Sequence, residues 1–527
     1  MGVTESLVVR TREAYEQMPY ESHAVREAFP PRLQAIATLL GMTPAAVSTA
    51  RVLEIGCSSG GNLLPLAVRY PQAQFVGIDL AEAQVAQGRA LVEQVGISNL
   101  QLIAADIMAV DDSIGRFDYI IAHGVMSWVP PEVQAGILSV CRRLLQPQGV
   151  AYISYNTYPG WHFREMGRAV MARAAALIDD PTQRLQKAKD LMAVLAREGC
   201  AAVDRPVGPV LKAHLEHIQA LPDYYLQHEY LEPVNQPFYF RNFVLQAMQH
   251  ELAYLSDADM ATDMPDFYAE SVRESVRPFA HDRYAMAELL DYVAGRSFRR
   301  SLLVQGEIAP DLQVKPNRAL MLHVASELHI VEGKEINDDS SWQLARIDQA
   351  DSKLAVSTPL TKAVVKCLDE AFPATVDIPQ LTLQVLGKLG VSLTSLDDKA
   401  LQQHMQDVAA VAIRLFFINA VTLLSEPVLA GKPGEYPRVF AAARAVAATG
   451  ATVVPSLNHR PAGLPPSWLP LILQMDGRHN RASLLALAEK LARKQALVVP
   501  TELAHASPTN WLQHILDYLH KRALLEA

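Results

Sequence analysis

Hydrophobic residues between positions 51 and 154 occur in short runs that alternate with longer segments of helical spacing. The short runs are rich in β-forming residues: RVLEIG, QFVGIDL, LQLIAAD, FDYIIAHG and GVAYISY. The segments between them, such as EAQVAQGRALVEQVG and PEVQAGILSVCRRLLQ, repeat apolar residues at the intervals of a helix. Strands that alternate with helices predict a parallel sheet with helices on both faces. This part of the chain is therefore predicted to be α/β.

The remaining chain has a mostly helical pattern. RLQAIATLLGM precedes the α/β part, and helical spacing returns from about 165 to 297 and again from about 358. Short β-like runs, SLLVQ and RALMLHVASELHIVEG, lie between these two helical regions. The pattern predicts a helical N-terminal segment (1–48), an α/β domain (49–175), a helical domain with a small β part (176–345) and a mostly helical C-terminal region (346–527).

Composition narrows the classes of function. The 527 residues carry a formal net charge of -9 at pH 7, which disfavours broad binding to nucleic acids. No apolar run reaches the roughly 20 residues of a membrane span, and no secretion signal is visible. Four cysteines without a CxxC pair argue against a zinc site or a disulfide framework: Cys57, Cys141, Cys200 and Cys367. We therefore expect a cytoplasmic protein without metal, nucleic-acid partner or membrane insertion; the oligomeric state is not predicted.

The first strand–helix turn reads ARVLEIGCSSGGNLLPLA and combines an acid in a buried strand with glycines at its end. Ligands bind beyond this end of a parallel sheet, and glycines let the backbone approach them closely. The spacing differs from the GxGxxG of dinucleotide-binding proteins. It matches ExGxxxG through Glu54, Gly56 and Gly60, and so resembles motif I of class I S-adenosylmethionine-dependent methyltransferases.

The resemblance implies a Rossmann-like domain with a seven-stranded sheet, S-adenosyl-L-methionine as cofactor, and a role for each strand end. In that family the glycine loop holds the amino-acid end of the cofactor, with Glu54 near its ammonium group. Asp79 would bind the ribose hydroxyls and Asp106 the adenine amino group. Each acid also has an ordinary structural alternative, as a helix cap. The implied cofactor contacts are Tyr20, Ser22, Glu54, Gly56, Ser58, Gly60, Asp79, Leu80, Asp106, Ile107 and His123.

Acceptor chemistry is expected after the fourth and fifth strands. YIIAHGVMSWVPPE lacks the Asn/Asp-Pro-Pro-Tyr turn of enzymes that methylate base amines or glutamine. His123 could accept a proton during the reaction, or it could hold the turn after the fourth strand by a backbone hydrogen bond. Trp128 could form an aromatic wall of the acceptor site, or it could pack in the core against the next helix. The loop SYNTYPGWHFREMGR concentrates aromatic residues at the ligand end of the sheet, although these could instead pack beneath the helical domain. The predicted catalytic residues are His123, Trp128 and Tyr158, and the predicted substrate contacts are Trp128, Tyr155, Asn156, Tyr158 and Trp161.

A narrower resemblance covers nearly the whole chain. AHGVMSWVPPE and GVAYISYNTYPGWHFREM resemble bacterial methyltransferases that carry a methyltransferase regulatory domain, among them the rickettsial protein lysine methyltransferases. YYLQHEYLEPVNQPFYFRNF is similar to their regulatory segment, and NHRPAGLPPSWLPLILQMDGRHNRASLLALA to their winged-helix-like C-terminal segment. The family implies a winged-helix-like α+β fold for the C-terminal region (346–527). It also implies that residues 1–48 form a lid, with Tyr20 and Ser22 near the cofactor carboxylate. Met126 stands where the family usually has a tyrosine.

Three functions remain open on the sequence. The first is methyl transfer to lysine side chains of a protein, the second is a small-molecule methyltransferase with helical lid domains, and the third is a cofactor-binding module without turnover. An HExxE pattern, formed by His228, Glu229 and Glu232, could suggest a metal site. Because Pro233 ends the helix and a second histidine is missing, we interpret the pattern as an interdomain hydrogen-bond cluster.

Overall fold

The structure, a computed structural model, describes residues 21–178, 180–201, 207–333, 335–347, 349–498 and 507–527. Its central sheet is built from β1 Arg51–Ile55, β2 Gln74–Asp79, β3 Leu100–Ala104, β4 Phe117–Ala122, β5 Leu145–Asn156, β6 Leu252–Asp257 and β7 Phe298–Gln305. These seven strands lie side by side in the order β3-β2-β1-β4-β5-β7-β6. Strands β1 to β5 are parallel, whereas β7 runs antiparallel to both β5 and β6. The predicted Rossmann-like α/β fold is confirmed.

The sheet extends beyond the predicted α/β segment, because β6 and β7 lie within residues 176–345. SLLVQ, expected to be part of a separate small β region, is the end of β7, and Leu303 pairs with Ala151 of β5. Antiparallel strands do not follow the strand–helix alternation that marks the parallel part of the sheet, so this pattern could not assign β6 and β7 to it.

Both faces of the sheet are buried, since alternate residues of a strand point to opposite sides. Val52, Tyr119 and Tyr152 belong to one hydrophobic core. Their strand neighbours Leu53, Ile120 and Ile153 belong to a second core on the other face. The helices before and between the parallel strands are α1 Pro30–Leu39, α2 Leu64–Arg69, α3 Glu82–Val95 and α4 Pro131–Leu144.

The middle of the chain is helical, as predicted. Its helices are α5 Gly160–Ala175, α6 Pro181–Ala201, α7 Val207–Gln219, α8 Asp223–Tyr230, α9 Phe240–Gln249, α10 Glu270–Val276 and α11 Arg283–Ala294. Met171, Met192 and Leu226 belong to a third core, which α5 to α8 share. Helix α9 instead covers the sheet, because its Phe240 and Phe243 belong to the second core.

The C-terminal region combines small sheets with helices. Its strands are β8 His323–Ser326, β9 Leu328–Glu332, β10 Trp342–Arg346, β11 Gln349–Val356, β12 Val376–Asp377, β13 Val421–Leu424, β14 Val453–Pro455 and β15 Pro461–Gly463. Its helices are α12 Pro359–Ala371, α13 Ile378–Lys388, α14 Asp398–Phe417, α15 Ala441–Ala448, α16 Leu469–Ile472, α17 Arg481–Arg493 and α18 Pro508–Lys521. The predicted boundary between residues 345 and 346 falls inside β10, which pairs with β9 and β11.

One core joins the two ends of the chain to the sheet. Leu33 and Ile36 of α1, Val421 of β13 and Leu516 of α18 all belong to the core that contains Val52 of β1. The C-terminal region therefore packs against the α/β part through a shared apolar interior. In the described part of the chain, no helix has both the length and the apolar character needed to cross a membrane.

Candidate active site

A cavity of about 910 Å³ lies beyond the carboxyl ends of the parallel strands. The predicted residues that line it are Gly56, Ser58, Asp79, Leu80, Asp106, Ile107, His123, Trp128 and Asn156. Other lining residues come from the N-terminal segment, β7, α8 and the C-terminal region. The position is the one where open α/β sheets bind their ligands.

Two residues from other parts of the chain, Val125 and Ser22, lie so close to the glycine loop that only glycine fits there. Gly56 has φ +73°, and a Cβ atom there would lie 2.4 Å from Cγ2 of Val125. A Cβ atom on Gly61 would lie 2.2 Å from the backbone oxygen of Ser22. The Gly61 N–H donates to Oγ of Ser22 at 2.8 Å, so the N-terminal segment is seated directly on the loop. Gly60, with φ +76°, belongs to the same loop but does not line the cavity.

Asp79 joins the glycine loop to the end of β2. Its Oδ2 accepts from the Ser58 N–H at 2.7 Å and its Oδ1 from the Ala81 N–H at 2.9 Å. Burial raises the pKa of Asp79, and these backbone hydrogen bonds oppose that rise. A carboxylate can accept about four hydrogen bonds, so capacity remains on the side that faces the cavity.

Glu54 lies beneath the loop and does not line the cavity. It is 4% exposed, and its Oε1 accepts from Nδ2 of Asn62 at 2.9 Å. Burial raises the pKa of Glu54 to about 8; the Asn62 hydrogen bond lowers it, and the nearby Asp79 charge raises it further. Its Oε2 is buried and has no hydrogen-bond partner among the described residues.

Asp106 and Ile107 follow β3 and line the cavity together. The Asp106 side chain accepts from the Met108 N–H at 2.9 Å, so it caps the short turn that follows. Asp106 can therefore both cap this turn and bind the adenine amino group, since the cap uses only part of its carboxylate.

His123 is held by the neighbouring strand. Its Nδ1 lies 3.0 Å from the Tyr152 hydroxyl and 3.2 Å from Oγ of Ser154. The enclosure of the ring, followed by the Arg300 cation, lowers the pKa of His123 to about 4. The imidazole is therefore neutral at pH 7 and weakly basic, which favours a role in holding the turn.

The aromatic residues of the predicted acceptor site are divided by the structure. Trp128 lines the cavity, whereas Trp161 is 1% exposed and meets Trp128 edge-on with ring centroids 6.2 Å apart. Tyr158 also lies off the cavity wall: it stacks on His162 at 4.1 Å and donates to a carboxylate oxygen of Glu165. Trp161 thus supports Trp128 from behind, and the structure does not place Tyr158 in the predicted wall.

Tyr155 faces away from the cavity, contrary to the expectation that it lines the acceptor site. Its ring stacks on Phe243 at 4.0 Å, and its hydroxyl hydrogen-bonds to Ser301 at 2.9 Å. The reason is the two-residue period of a strand, which directs Asn156 to the cavity and Tyr155 into the second core. Asn156 donates from Nδ2 to Oδ1 of Asn235 at 2.9 Å.

Two residues of the N-terminal segment, Tyr20 and Ser22, are predicted to contact the cofactor. Ser22 contacts the glycine loop but not the cavity wall. Tyr20 lies outside the described residues.

Sequence reasoning missed the cavity wall supplied by β7 and its preceding residue. Ser297, Phe298 and Arg300 line the cavity, and the Arg300 guanidinium lies 5.3 Å from the Phe298 ring centre. No local motif marks these positions, because an antiparallel strand far along the chain brings them there.

Helix α8 supplies another part of the wall. Tyr225, His228 and Glu229 line the cavity. Glu229 forms an ion pair with Arg164 at 3.3 Å, and His228 pairs with Glu232 at 3.0 Å. Within the described residues, no group of three or more His, Cys, Asp and Glu side chains could hold a metal ion.

The residues fit S-adenosyl-L-methionine. A partly free carboxylate at Asp79 and an acid at Asp106 suit a ligand with hydroxyl and amino donors, and the buried acid Glu54 adds a negative group behind the loop. The close approach at Gly56 leaves no room for a side chain beside the loop.

Three family models match different parts of the chain. A methyltransferase domain matches residues 52–149, a predicted methyltransferase regulatory domain matches 222–305, and the PKMT C-terminal winged helix domain matches 435–527. The regulatory-domain match contains both β6 and β7, so that segment completes the central sheet.

Relatives extend over most of the chain. The protein RP789 of Rickettsia prowazekii is 29% identical over 490 residues, which cover 90% of this chain and 86% of that protein. RP028 of the same organism is 36% identical over 236 residues, covering 45% of this chain and 94% of that protein. The solved structure of PKMT2 from Rickettsia typhi in complex with AdoHcy matches with a TM-score of 0.83 and 25% identity, covering 96% of this chain and 100% of that one.

These matches agree with the site, in which the glycine loop, Asp79 and Asp106 meet at one end of the sheet. S-adenosyl-L-methionine is the methyl donor. The chain belongs to the S-adenosylmethionine-dependent methyltransferases that join a methyltransferase domain to a regulatory domain and a C-terminal winged-helix domain.

Proposed function

We propose that the protein transfers methyl groups to lysine side chains of a protein substrate. The observation that carries this proposal is the lining of the cavity, which includes Trp128, Phe298 and Arg300. The Phe298 ring meets the His123 ring edge-on, with centroids 6.0 Å apart. An apolar and cationic environment of this kind suits an amine that must be neutral to react. The likeness to PKMT2 of Rickettsia typhi supports the same acceptor class.

A lysine acceptor has to lose a proton before transfer, and its ordinary pKa is about 10.4. Desolvation and a nearby cation both lower the pKa of an amine. The same two effects, enclosure and the Arg300 charge, already lower the pKa of His123 to about 4. We therefore assign deprotonation of the acceptor to the environment of the cavity. His123 positions the turn through Tyr152 and Ser154.

The bound cofactor supplies an activated methyl group on a sulfonium, which leaves the protein mainly to align the acceptor and exclude water. Trp128 forms one wall for that alignment, and Trp161 supports it from behind. Asn156, fixed by its hydrogen bond to Asn235, offers a polar contact for the acceptor.

The described part of the N-terminal segment, residues 21–48, fits a role as a lid over the cofactor loop. Ser22 accepts a hydrogen bond from Gly61, and Ala24, Val25, Arg26 and Glu27 line the cavity. We assign the regulatory and C-terminal segments to recognition of the protein substrate, because α8 and the turn between β14 and β15 wall the same cavity.

The test is a transfer assay with labelled S-adenosylmethionine and the full-length protein. A panel of lysine-rich proteins is compared with the same proteins after lysine acetylation, and with a panel of small-molecule amines and hydroxyl compounds. We expect label on lysine in the unmodified proteins, located by mass spectrometry, and none after acetylation. Asp79→Ala serves as the control for contaminating activity. Label confined to the small molecules would favour a small-molecule methyltransferase with helical lid domains.

A further inference from the structure

The side chain of Asn62 connects three distant segments at the cofactor loop. Its Oδ1 accepts from the backbone N–H of Val25 at 2.9 Å and hydrogen-bonds to Nε2 of His459 at 2.7 Å. Its Nδ2 donates to Oε1 of Glu54 at 2.9 Å. The three side chains are buried, with exposed fractions of 3% for Asn62, 2% for His459 and 4% for Glu54. The N-terminal segment, β1 and the C-terminal region therefore meet at one amide.

The donors and acceptors in this cluster are determined by Val25. A backbone N–H can only donate, so the atom of Asn62 that faces it must be the oxygen. His459 must then donate to the same oxygen through Nε2–H. Burial, followed by the Arg69 cation, lowers the pKa of His459 to about 3, so the ring is neutral and carries a single N–H. The tautomer with hydrogen on Nε2 is the one that satisfies Asn62.

His459 is held firmly in place by its own surroundings. It has φ +57°, and its ring stacks on Phe29 with centroids 4.8 Å apart and an interplanar angle of 12°. Its backbone N–H donates to the Ser456 carbonyl oxygen at 3.0 Å. The turn that carries His459 is anchored to α2, because the Arg69 guanidinium at the end of this helix donates to the Leu457 carbonyl oxygen.

We propose that His459 is a positioning residue of the cofactor site, and that the winged-helix region completes this site through the relay His459–Asn62–Glu54. The hydrogen bond from His459 fixes the Asn62 amide, which in turn directs Glu54. Asn62 occupies one oxygen of Glu54, while the other has no partner among the described residues. Residues of the same turn, Ser456 and Asn458, line the cavity itself. The inference concerns the cofactor and does not depend on the identity of the acceptor.

Two substitutions separate the hydrogen bond from the packing of the ring. His459→Phe keeps an aromatic ring to stack on Phe29 but removes the donor. His459→Gln keeps an N–H at a similar distance from the backbone but loses the stacked ring. Binding of S-adenosylhomocysteine to the full-length proteins is measured by calorimetry, together with the melting temperature of each protein.

We expect the dissociation constant to rise about tenfold in His459→Phe, a loss of about 1.4 kcal/mol, and to stay within about threefold of wild type in His459→Gln. A purely structural role predicts that affinity follows the melting temperature. Wild-type affinity in both variants, equal losses in both, or weaker binding by His459→Gln than by His459→Phe would each overturn the proposal.

A second measurement on the unmodified protein remains informative if a variant fails to fold. Coupling between two sites is reciprocal, so the ligand must stabilise the His459 turn as much as the turn favours the ligand. We expect saturating S-adenosylhomocysteine to slow hydrogen exchange in peptides covering 455–461 and 52–62, with no change in α13 (378–388) as an internal control. Unchanged exchange in 455–461 refutes the relay.

Discussion

Replacement of Gly56 by alanine tests whether the glycine loop is shaped by contact with Val125. Two costs follow from the structure. The left-handed backbone, with φ +73°, costs an alanine about 1–2 kcal/mol. The new Cβ atom would lie 2.4 Å from Val125 Cγ2, about 1 Å closer than the roughly 3.5 Å at which carbon atoms pack. Because a β-branched valine is stiff at χ1, the loop is expected to move away from it.

The displaced loop carries Ser58, whose N–H donates to Asp79 at 2.7 Å. A shift of this size therefore also disturbs the Asp79 carboxylate, which is assigned to the cofactor. We expect the affinity for S-adenosylhomocysteine to fall at least tenfold, about 1.4 kcal/mol. Gly96→Ala is the matched control, since Gly96 has φ +76° and no atom within 4 Å of an added Cβ. It incurs a similar backbone cost at the end of α3, outside the cavity.

Calorimetric titrations of five proteins then decide the question: wild type, Gly56→Ala, Gly96→Ala, Val125→Ala and the double variant Gly56→Ala/Val125→Ala. Removal of Val125 Cγ2 should restore binding to within about threefold of Val125→Ala alone, whereas Gly96→Ala should bind as wild type. The reasoning is wrong if Gly56→Ala binds as tightly as wild type, or if the loss persists unchanged in the double variant.

Three further predictions concern the same site. Asp79→Ala removes charge-assisted hydrogen bonds worth roughly 1.5–3 kcal/mol each, so calorimetry should show at least a tenfold weaker S-adenosylhomocysteine complex; unchanged affinity would contradict the assignment of Asp79. Trp161→Ala should lower the free energy of unfolding by about 3–5 kcal/mol, while the folded protein still binds the cofactor. Trp128→Ala should instead mainly raise the KM for the acceptor. A wild-type melting curve for Trp161→Ala would refute the supporting role of Trp161. The folded-state pKa of Glu54, about 8, exceeds its ordinary value of 4.5, so the folded protein binds the extra proton and stability is lost as pH rises from about 4.5 to 8. Glu54→Gln should remove this loss in thermal melts. Melting temperatures of wild type and Glu54→Gln that fall in parallel with pH would contradict the assignment.

The cofactor half of the site could be predicted from sequence because it is local. Glu54, Asp79 and Asp106 lie in or directly after three consecutive strands, and each strand carries its own apolar signal. Parallel pairing then brings the strand ends together without any information from distant residues. The same strand–helix pattern predicts the order of the elements around these residues, and the structure agrees with it.

The acceptor half depends on side-chain direction and on long-range pairing, which short motifs do not encode. Tyr155 and Asn156 are neighbours in one loop motif, yet the strand period sends them to opposite faces. Arg300 reaches the cavity only because β7 pairs with β5, and Ser154 lies opposite it across that pairing. A sequence pattern could therefore indicate that aromatic residues gather near the fifth strand, but not which of them face the ligand.

The division between local and distant residues leads to different expectations for the acceptor and for the cofactor. Changes in α8 or β7 should affect the acceptor before the cofactor. Phe298 of β7 meets the His123 ring edge-on, and Glu229 of α8 pairs with Arg164, which lies over the Trp161 ring that supports Trp128. The C-terminal region differs from them, since His459 reaches Asn62 directly behind the cofactor loop. If a protein substrate engages the C-terminal region and moves the turn at 455–461, the Asn62 amide loses a donor and Glu54 is no longer held in the same orientation. Binding of the acceptor protein and binding of the cofactor would then be linked through one buried amide.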